Sequence, residues 1–153
     1  MPRLLVLHHT VSPALHALAE AATQGASTDE VEAVEVVTRP ALLAGAVDAL
    51  EADGYVLGTP ANIGYMSGAL KHFFDQCYYP CLGATGNRPY ALWVHGESDT
   101  AGAVRSVELV ASALGWRRVH LPVSVVGAPQ RSDLEAVREL AATVAATLAL
   151  EMT

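Results

Sequence analysis

Hydrophobic and polar positions along the chain sort into short continuous apolar runs separated by longer stretches of helical period. The runs are Leu4-Leu5-Val6-Leu7, Val34 to Val37, Tyr55-Val56-Leu57, Tyr90 to Val94 and Val119 to Val126, the last interrupted by Pro122. Continuous rather than alternating apolar runs are what strands covered on both faces require. After each run, apolar residues recur three and four positions apart: Ala14, Leu18, Ala21; Leu43, Ala46, Leu50; Leu70, Phe73, Phe74, Cys77; Val104, Val107, Ala111, Leu114; and Leu134, Val137, Ala141, Val144, Leu148. That spacing places them on one side of a helix. The pattern therefore predicts five strands, each followed by a helix.

Punctuation agrees with this division. Gly25 and Gly115 stand where C-terminal helix glycines belong, and Ser132 with Glu135 three residues later reads as a capping box opening the last helix. Parallel strands joined by right-handed helical crossovers form a doubly wound α/β sheet, for which two strand orders are common. Periodicity does not choose between them. In either order, ligands bind outside the carboxyl ends of the strands.

No repeat, low-complexity tract or Pro/Gly-rich linker interrupts the pattern, so one domain over residues 1–153 is expected. A chain of this length buries roughly 70% of its unfolded surface and needs neither disulfides nor structural metal. Its 52% apolar and 16% charged residues fit a large interior under a thin polar shell. The 16 acidic and 9 basic side chains give a net charge of -7, and the largest basic cluster is Arg117-Arg118. Nucleic-acid binding is disfavoured, since a phosphate backbone calls for a basic stripe.

Met1-Pro2-Arg3 leads straight into an apolar run that reads as a strand rather than a signal peptide, so a cytoplasmic location is expected. The stretch Leu140 to Leu150 contains Thr143 and Thr147 and falls short of the ~20 residues that a membrane span needs. Cys77 and Cys81 form a lone C-x3-C with only His72 nearby, which suits reduced structural thiols better than a four-ligand zinc site.

Chemistry is to be sought in the loops after the first, third and fourth strands. The first reads His8-His9-Thr10-Val11-Ser12-Pro13-Ala14-Leu15-His16 and holds neither G-x-G-x-x-G nor G-x-x-x-x-G-K-[ST]. It offers hydroxyls at Thr10 and Ser12 ahead of a helix that Pro13 opens, a place for one phosphate at the helix N-terminus. Ordinary N-capping by Ser12 is the competing reading. The third-strand loop, Gly58 to Lys71, has much backbone freedom and one large aromatic, Tyr65. The fourth-strand loop, His95-Gly96-Glu97-Ser98-Asp99-Thr100-Ala101-Gly102, has glycines near both ends, which allow a close approach to a flat ligand. A planar ring between the last two loops is the expectation.

Gly58-Thr59-Pro60 through Ser67-Gly68-x-x-Lys71-x-Phe73 resembles the second flavin loop of the flavodoxin-like superfamily, and in particular its NAD(P)H-dependent FMN reductases and quinone reductases. The resemblance extends over essentially the whole chain. It implies a five-stranded 2-1-3-4-5 parallel sheet with helices on both faces and a non-covalent FMN at the switch point. Carried over by position, His9, Thr10, Ser12, Ala14, Leu15 and His16 would hold the phosphate. Pro60, Ala61, Asn62, Ile63, Gly64 and Tyr65, with Gly96, Glu97, Ser98 and Gly102, would flank the isoalloxazine. Flavodoxins proper carry a T-x-T-G-N-T-like phosphate loop. Here Pro13, Ala14 and Leu15 replace its last residues and Pro13 removes one donor, with His9 or His16 as the compensating groups.

None of these loops contains Lys or Arg ahead of Lys71. Phosphate affinity would then rest on backbone N–H groups, hydroxyls and the helix terminus, at roughly 1.5–3 kcal/mol for each hydrogen bond to a charged group. Among the remaining histidines, His8 is assigned to a strand end, His72 to a helix surface, His120 to a strand and His95 to the base of a loop. His9 and His16 fit structural and ligand roles alike, and Tyr65 fits ring stacking or plain packing. The aromatic Cys77-Tyr78-Tyr79-Pro80-Cys81-Leu82 segment is expected after the third helix, at a pocket rim or a homodimer interface.

The resemblance thus implies an oxidoreductase that passes hydride from NADPH or NADH through FMN to a quinone or other small-molecule electron acceptor. A flavodoxin-type electron carrier is the alternative, and an interaction module without flavin is a third. No catalytic acid or base is singled out, because hydride chemistry belongs to the cofactor.

Overall fold

A computed structural model describes residues 1–28 and 33–152. In chain order its elements are β1 (Arg3–His8), α1 (Pro13–Ala26), β2 (Glu35–Pro40), a 3₁₀ turn (Ala41–Leu43), α2 (Ala46–Glu51), β3 (Gly54–Asn62), β4 (Tyr65–Met66), α3 (Gly68–Cys81), β5 (Pro89–Gly96), α4 (Ala101–Ala113), β6 (Arg117–Arg118), β7 (Val123–Val126) and α5 (Arg131–Glu151). The sheet runs β2-β1-β3-β5-β6, with β7 also on β5 and β4 on β3. Every pairing is parallel except β3 with β4. This is the expected doubly wound α/β sheet, in the order implied by the resemblance.

The fifth strand arrives in two pieces on one edge. β6 pairs with Pro89 and Tyr90 of β5, and β7 with Trp93 to Gly96. Pro122, which cannot donate to a ladder, lies in the gap. His120 therefore sits in the bend between the pieces rather than in a strand, with its Nδ1 2.7 Å from the Leu121 carbonyl oxygen.

Alternate residues of each strand face opposite layers. Leu4, Val6, Val56, Ala91 and Trp93 pack under α1 and α5, while Leu5, Leu7, Tyr55, Leu57, Leu92 and Val94 pack under α2, α3 and α4. The central strands are buried along nearly their whole length, which accounts for their unbroken apolar runs. At the amino end of the sheet, the Tyr55 and Trp116 rings stack with centroids 3.8 Å apart, and Phe74 and Tyr90 tilt against Trp116. Their polar atoms are satisfied: Tyr55 Oη donates to the Ala49 carbonyl oxygen at 2.6 Å, and Trp116 Nε1 to Thr85 Oγ1 at 2.8 Å. Arg88 Nη1 donates to the carbonyls of Leu50 and Ala52, terminating α2 with a cation where the helix dipole is negative.

Several local expectations are corrected. Gly25 is not a C-cap but a buried residue inside α1, where a Cβ would collide with the Arg138 carbonyl of α5. Gly115 does follow a helix end, with φ +76°. The capping box of α5 is Gln130 with Asp133, not Ser132 with Glu135: Gln130 N donates to Asp133 Oδ2 at 2.7 Å. The period read across Leu43, Ala46 and Leu50 divides into the 3₁₀ turn and the short α2. Helix α3 continues through the aromatic segment to Cys81, with Pro80 in its last turn. Cys77 and Cys81 are both buried free thiols, and burial pushes the Cys77 thiol up to about 12. His95 is a buried residue of β5 rather than a loop base. No described helix is long and apolar enough to cross a membrane.

Gly25 offers a test in which the sign is informative. Glycine in a helix interior normally costs roughly 1 kcal/mol relative to alanine. Here the new methyl meets backbone, so Gly25→Ala is expected to destabilise the protein by about 1–3 kcal/mol in urea unfolding. A stabilised variant would contradict the α1–α5 contact.

Candidate functional site

The loops after β1, β3 and β5 leave three neighbouring parallel strands at one end of the sheet. In the first, Ser12 is the N-cap of α1: its Oγ accepts from Leu15 N at 3.2 Å, and its carbonyl from His16 N at 3.0 Å. Pro13 has no N–H. Leu15 offers the site no free donor, because its N–H is spent on Ser12 Oγ, and its side chain is buried in the core. The N–H groups of Thr10, Val11, Ser12 and Ala14 donate to no acceptor among the described residues. Four donors without a protein acceptor thus lie at the positive end of a helix, a place that suits an anion.

The side chains around this loop are imidazoles and hydroxyls. Thr10 Oγ1 lies 3.3 Å from His8 Nδ1. Burial holds the His8 imidazole below its ordinary value, helped by the neighbouring His16 and His9. His16 is exposed, with Nε2 3.8 Å from Glu20, and it shares a cavity of about 320 Å³ with His8, Thr10, Thr23 and Thr38.

The second region is a hairpin more than a loop, because β3 continues through the Gly58-Thr59-Pro60 stretch to Asn62. Asn62 pairs with Tyr65, which leaves Ile63 and Gly64 as the two-residue turn at φ 51° and 69°. Positive φ at both positions makes it a type I′ turn. Hydroxyls hold it in place. Thr59 Oγ1 accepts from Ser67 N at 2.9 Å, Ser67 Oγ caps α3 through Leu70 N at 3.1 Å, and Ser106 Oγ accepts from Met66 N at 3.0 Å. Thr59 and Ser67, part of the motif behind the family resemblance, therefore serve structure. The Ile63 side chain is fully exposed, although a β-branched residue at positive φ is a strained choice.

The third region begins at Gly96, the buried last residue of β5, and continues through the exposed Glu97, Ser98 and Asp99. Asp99 Oδ1 accepts from Ala101 N at 2.9 Å as α4 begins. Both glycines admit a neighbouring chain. A Cβ on Gly96 would crowd Ala61 and Thr100, and one on Gly102 would collide with the Gly64 carbonyl. Hairpin and loop are thereby packed together at these two points. His95 Nε2 lies 2.8 Å from the Gly127 carbonyl oxygen and ties the following turn to β5.

The helix α4 is where the period of Val104, Val107 and Ala111 predicts it, but its part in the site was not foreseen. A cavity of about 650 Å³ lies between the hairpin and that helix, lined by Gly64, Tyr65, Gly102, Arg105, Ser106, Glu108 and Leu109. Tyr65 is 43% exposed there and Leu109 73%. The available signal was Arg105 and Leu109 four apart on the polar side of α4, where an exposed leucine breaks the pattern. A second omission is Trp93, whose fully buried indole lies against Gly58. Among the described residues no group of three His, Cys, Asp or Glu could hold a metal ion.

No protein-family model and no curated protein sequence matches this chain. Solved structures do. A flavodoxin, WrbA-like protein from Agrobacterium tumefaciens superposes with TM-score 0.78 at 20% identity, covering 100% of both chains. A flavodoxin from the domain Archaea gives 0.80 at 17% identity, over 95% of this chain and 98% of that one. An oxidoreductase from Corynebacterium diphtheriae gives 0.69 at 21% identity, over 100% and 99%. At such identities the likeness establishes the fold alone, a flavodoxin-like doubly wound α/β sheet.

The hairpin turn generates a stability prediction. Ile63→Asn would create Asn-Gly, the preferred type I′ pair, and remove a left-handed β-branched residue costing about 1–2 kcal/mol. The variant is expected to be more stable than the parent by about 1 kcal/mol in thermal or urea unfolding. No gain would mean that the turn is not of this type in solution.

Proposed function

We propose that this chain is an FMN-binding flavoprotein, and that it works as an NAD(P)H-dependent oxidoreductase passing hydride through FMN to a quinone or other small acceptor. The observation that carries the reading is the set of unspent N–H groups at Thr10, Val11, Ser12 and Ala14, at the point where α1 leaves the sheet. A phosphate dianion matches this donor set and the helix dipole, and the lack of Lys and Arg in the three loops leaves the backbone to supply the affinity. Residues His9 to His16 would hold the phosphate. Pro60 to Tyr65 and Gly96 to Gly102 would hold the ring, where the N–H groups of Ile63 and Gly64 in the turn and of Glu97 and Ser98 in the loop have no acceptor among the described residues.

When bound, FMN supplies the hydride chemistry. The protein's part is to hold it and to decide what reaches its ring. Tyr65 is the one aromatic of the flanking loops, and it lines the cavity against α4. A ring without an aromatic cover on each side can accept a stacked nicotinamide or quinone, which supports the enzyme over the electron carrier.

FMN is expected to bind with one molecule per chain and FAD far more weakly, since no second stretch of the sequence reads as built for an adenosine; calorimetric titration with both flavins decides this. Thr10→Ala is the cleaner anchor variant, because Ser12 also caps α1. It should weaken FMN by roughly 1.5–3 kcal/mol and leave riboflavin unchanged. Equal loss for both flavins would sink the phosphate assignment.

Under anaerobic conditions NADPH or NADH alone is expected to bleach the FMN-loaded protein, and a small quinone to restore the colour. Tyr65→Ala should alter that turnover more than it alters FMN affinity. Bleaching only in the presence of a separate reductase would establish the carrier instead.

A further inference from the structure

Trp93 Nε1 is the one buried side-chain polar atom of the described residues that has no hydrogen-bond partner. Buried donors in native proteins are nearly always paired, and an orphan calls for a reason. Its location supplies one. The register of the sheet sets Trp93 beside Gly58, one residue beyond the paired Leu7 and Leu57, so that His8, Gly58 and Trp93 form a row across β1, β3 and β5. The indole reaches over Gly58 toward β1, close enough that any Cβ at position 58 would overlap its rings. His8 is the last strand residue before the loop with four unspent N–H groups. Leu15, in the first turn of α1, packs in the same layer as the indole.

We propose that Trp93 Nε1–H is a buried donor to the phosphate held by the β1–α1 loop, completing from below a site whose own loop carries no Lys or Arg. This rests on the flavin reading for the identity of the phosphate carrier. The chemistry fits the electrostatics of the chain. An indole N–H donates without carrying charge, and inside an apolar layer a neutral donor is far cheaper to bury than an ammonium or guanidinium. A Phe at 93 would occupy the layer without stranding a polar atom. Gly58 is the matching half of the device, because a side chain there would push the indole away from β1.

The chain has two tryptophans, and Trp116 Nε1 is already bonded to Thr85 Oγ1, so it serves as an internal reference. In nitrogen–proton correlation spectra of the apo-protein, inorganic phosphate and FMN are each expected to shift the Trp93 indole signal. Riboflavin should leave it in place, and Trp116 should stay still throughout. Trp93→Phe should lower FMN affinity at least about ten-fold with riboflavin affinity unchanged, the size of one hydrogen bond to a charged acceptor.

A Trp93 signal that does not respond while FMN binds, or that responds equally to riboflavin, overturns the assignment, and the wild-type spectra decide it even if the variant does not fold. Failure of FMN to bind at all would instead overturn the flavin reading. The inorganic phosphate titration then still decides the donor role, for or against.

Discussion

The fold depends on the handedness of its parallel crossovers. Parallel strands need a helix to return the chain to the same end of the sheet, and the return is almost always right-handed. From β1 the chain moves outward to β2 through α1 on one face. It then reverses, and α2, α3 and α4 carry it through β3 and β5 to the far edge on the other face. At the reversal β1 and β3 lie side by side while the segments that follow them go to opposite faces. A crevice must open there, and both the unspent N–H groups of the first loop and the row His8, Gly58, Trp93 lie beside it.

The two ends of the sheet divide stability from chemistry. At the amino end, the stack of Tyr55 on Trp116 and the Arg88 fork on the α2 carbonyls spend every polar atom that they bury. At the carboxyl end, hydroxyls of Thr59, Ser67 and Ser106 are consumed in shaping the hairpin, while backbone donors of the first loop remain unspent. The difference marks where a ligand can gain hydrogen bonds that water now competes for. A strained Ile63 at the hairpin tip belongs to the same end, where such strain is commonly kept.

In a chain of net charge -7, the proposed phosphate site, whose loops carry no Lys or Arg, would gain selectivity from geometry more than from field. Backbone donors and a helix terminus act at contact distance and fade within a turn, so they accept a phosphate that fits and attract little else. Arg105 stands apart from them, on α4 at the wall of the larger cavity.

Much of this was legible in the sequence. Unbroken apolar runs determined strands covered on both faces, helical periods between them determined the alternation, and Ser12-Pro13 marked the start of α1, because each depends only on residues close along the chain. Tertiary structure decided the rest. Gly25 resembles a helix stop until α5 lies across it, and the start of α5 is set by the Gly127–Gly96 tie and the Gln130–Asp133 box instead of the local Ser132–Glu135 spacing. The Gly58 loop became strand and hairpin because Ser106, forty residues away, bonds Met66, and because Gly102 admits the Gly64 carbonyl. Trp93 reads as one more core aromatic until the register sets it beside Gly58. A local pattern records which face a residue buries, but which residue of another strand or helix meets it there is decided only when the sheet pairs.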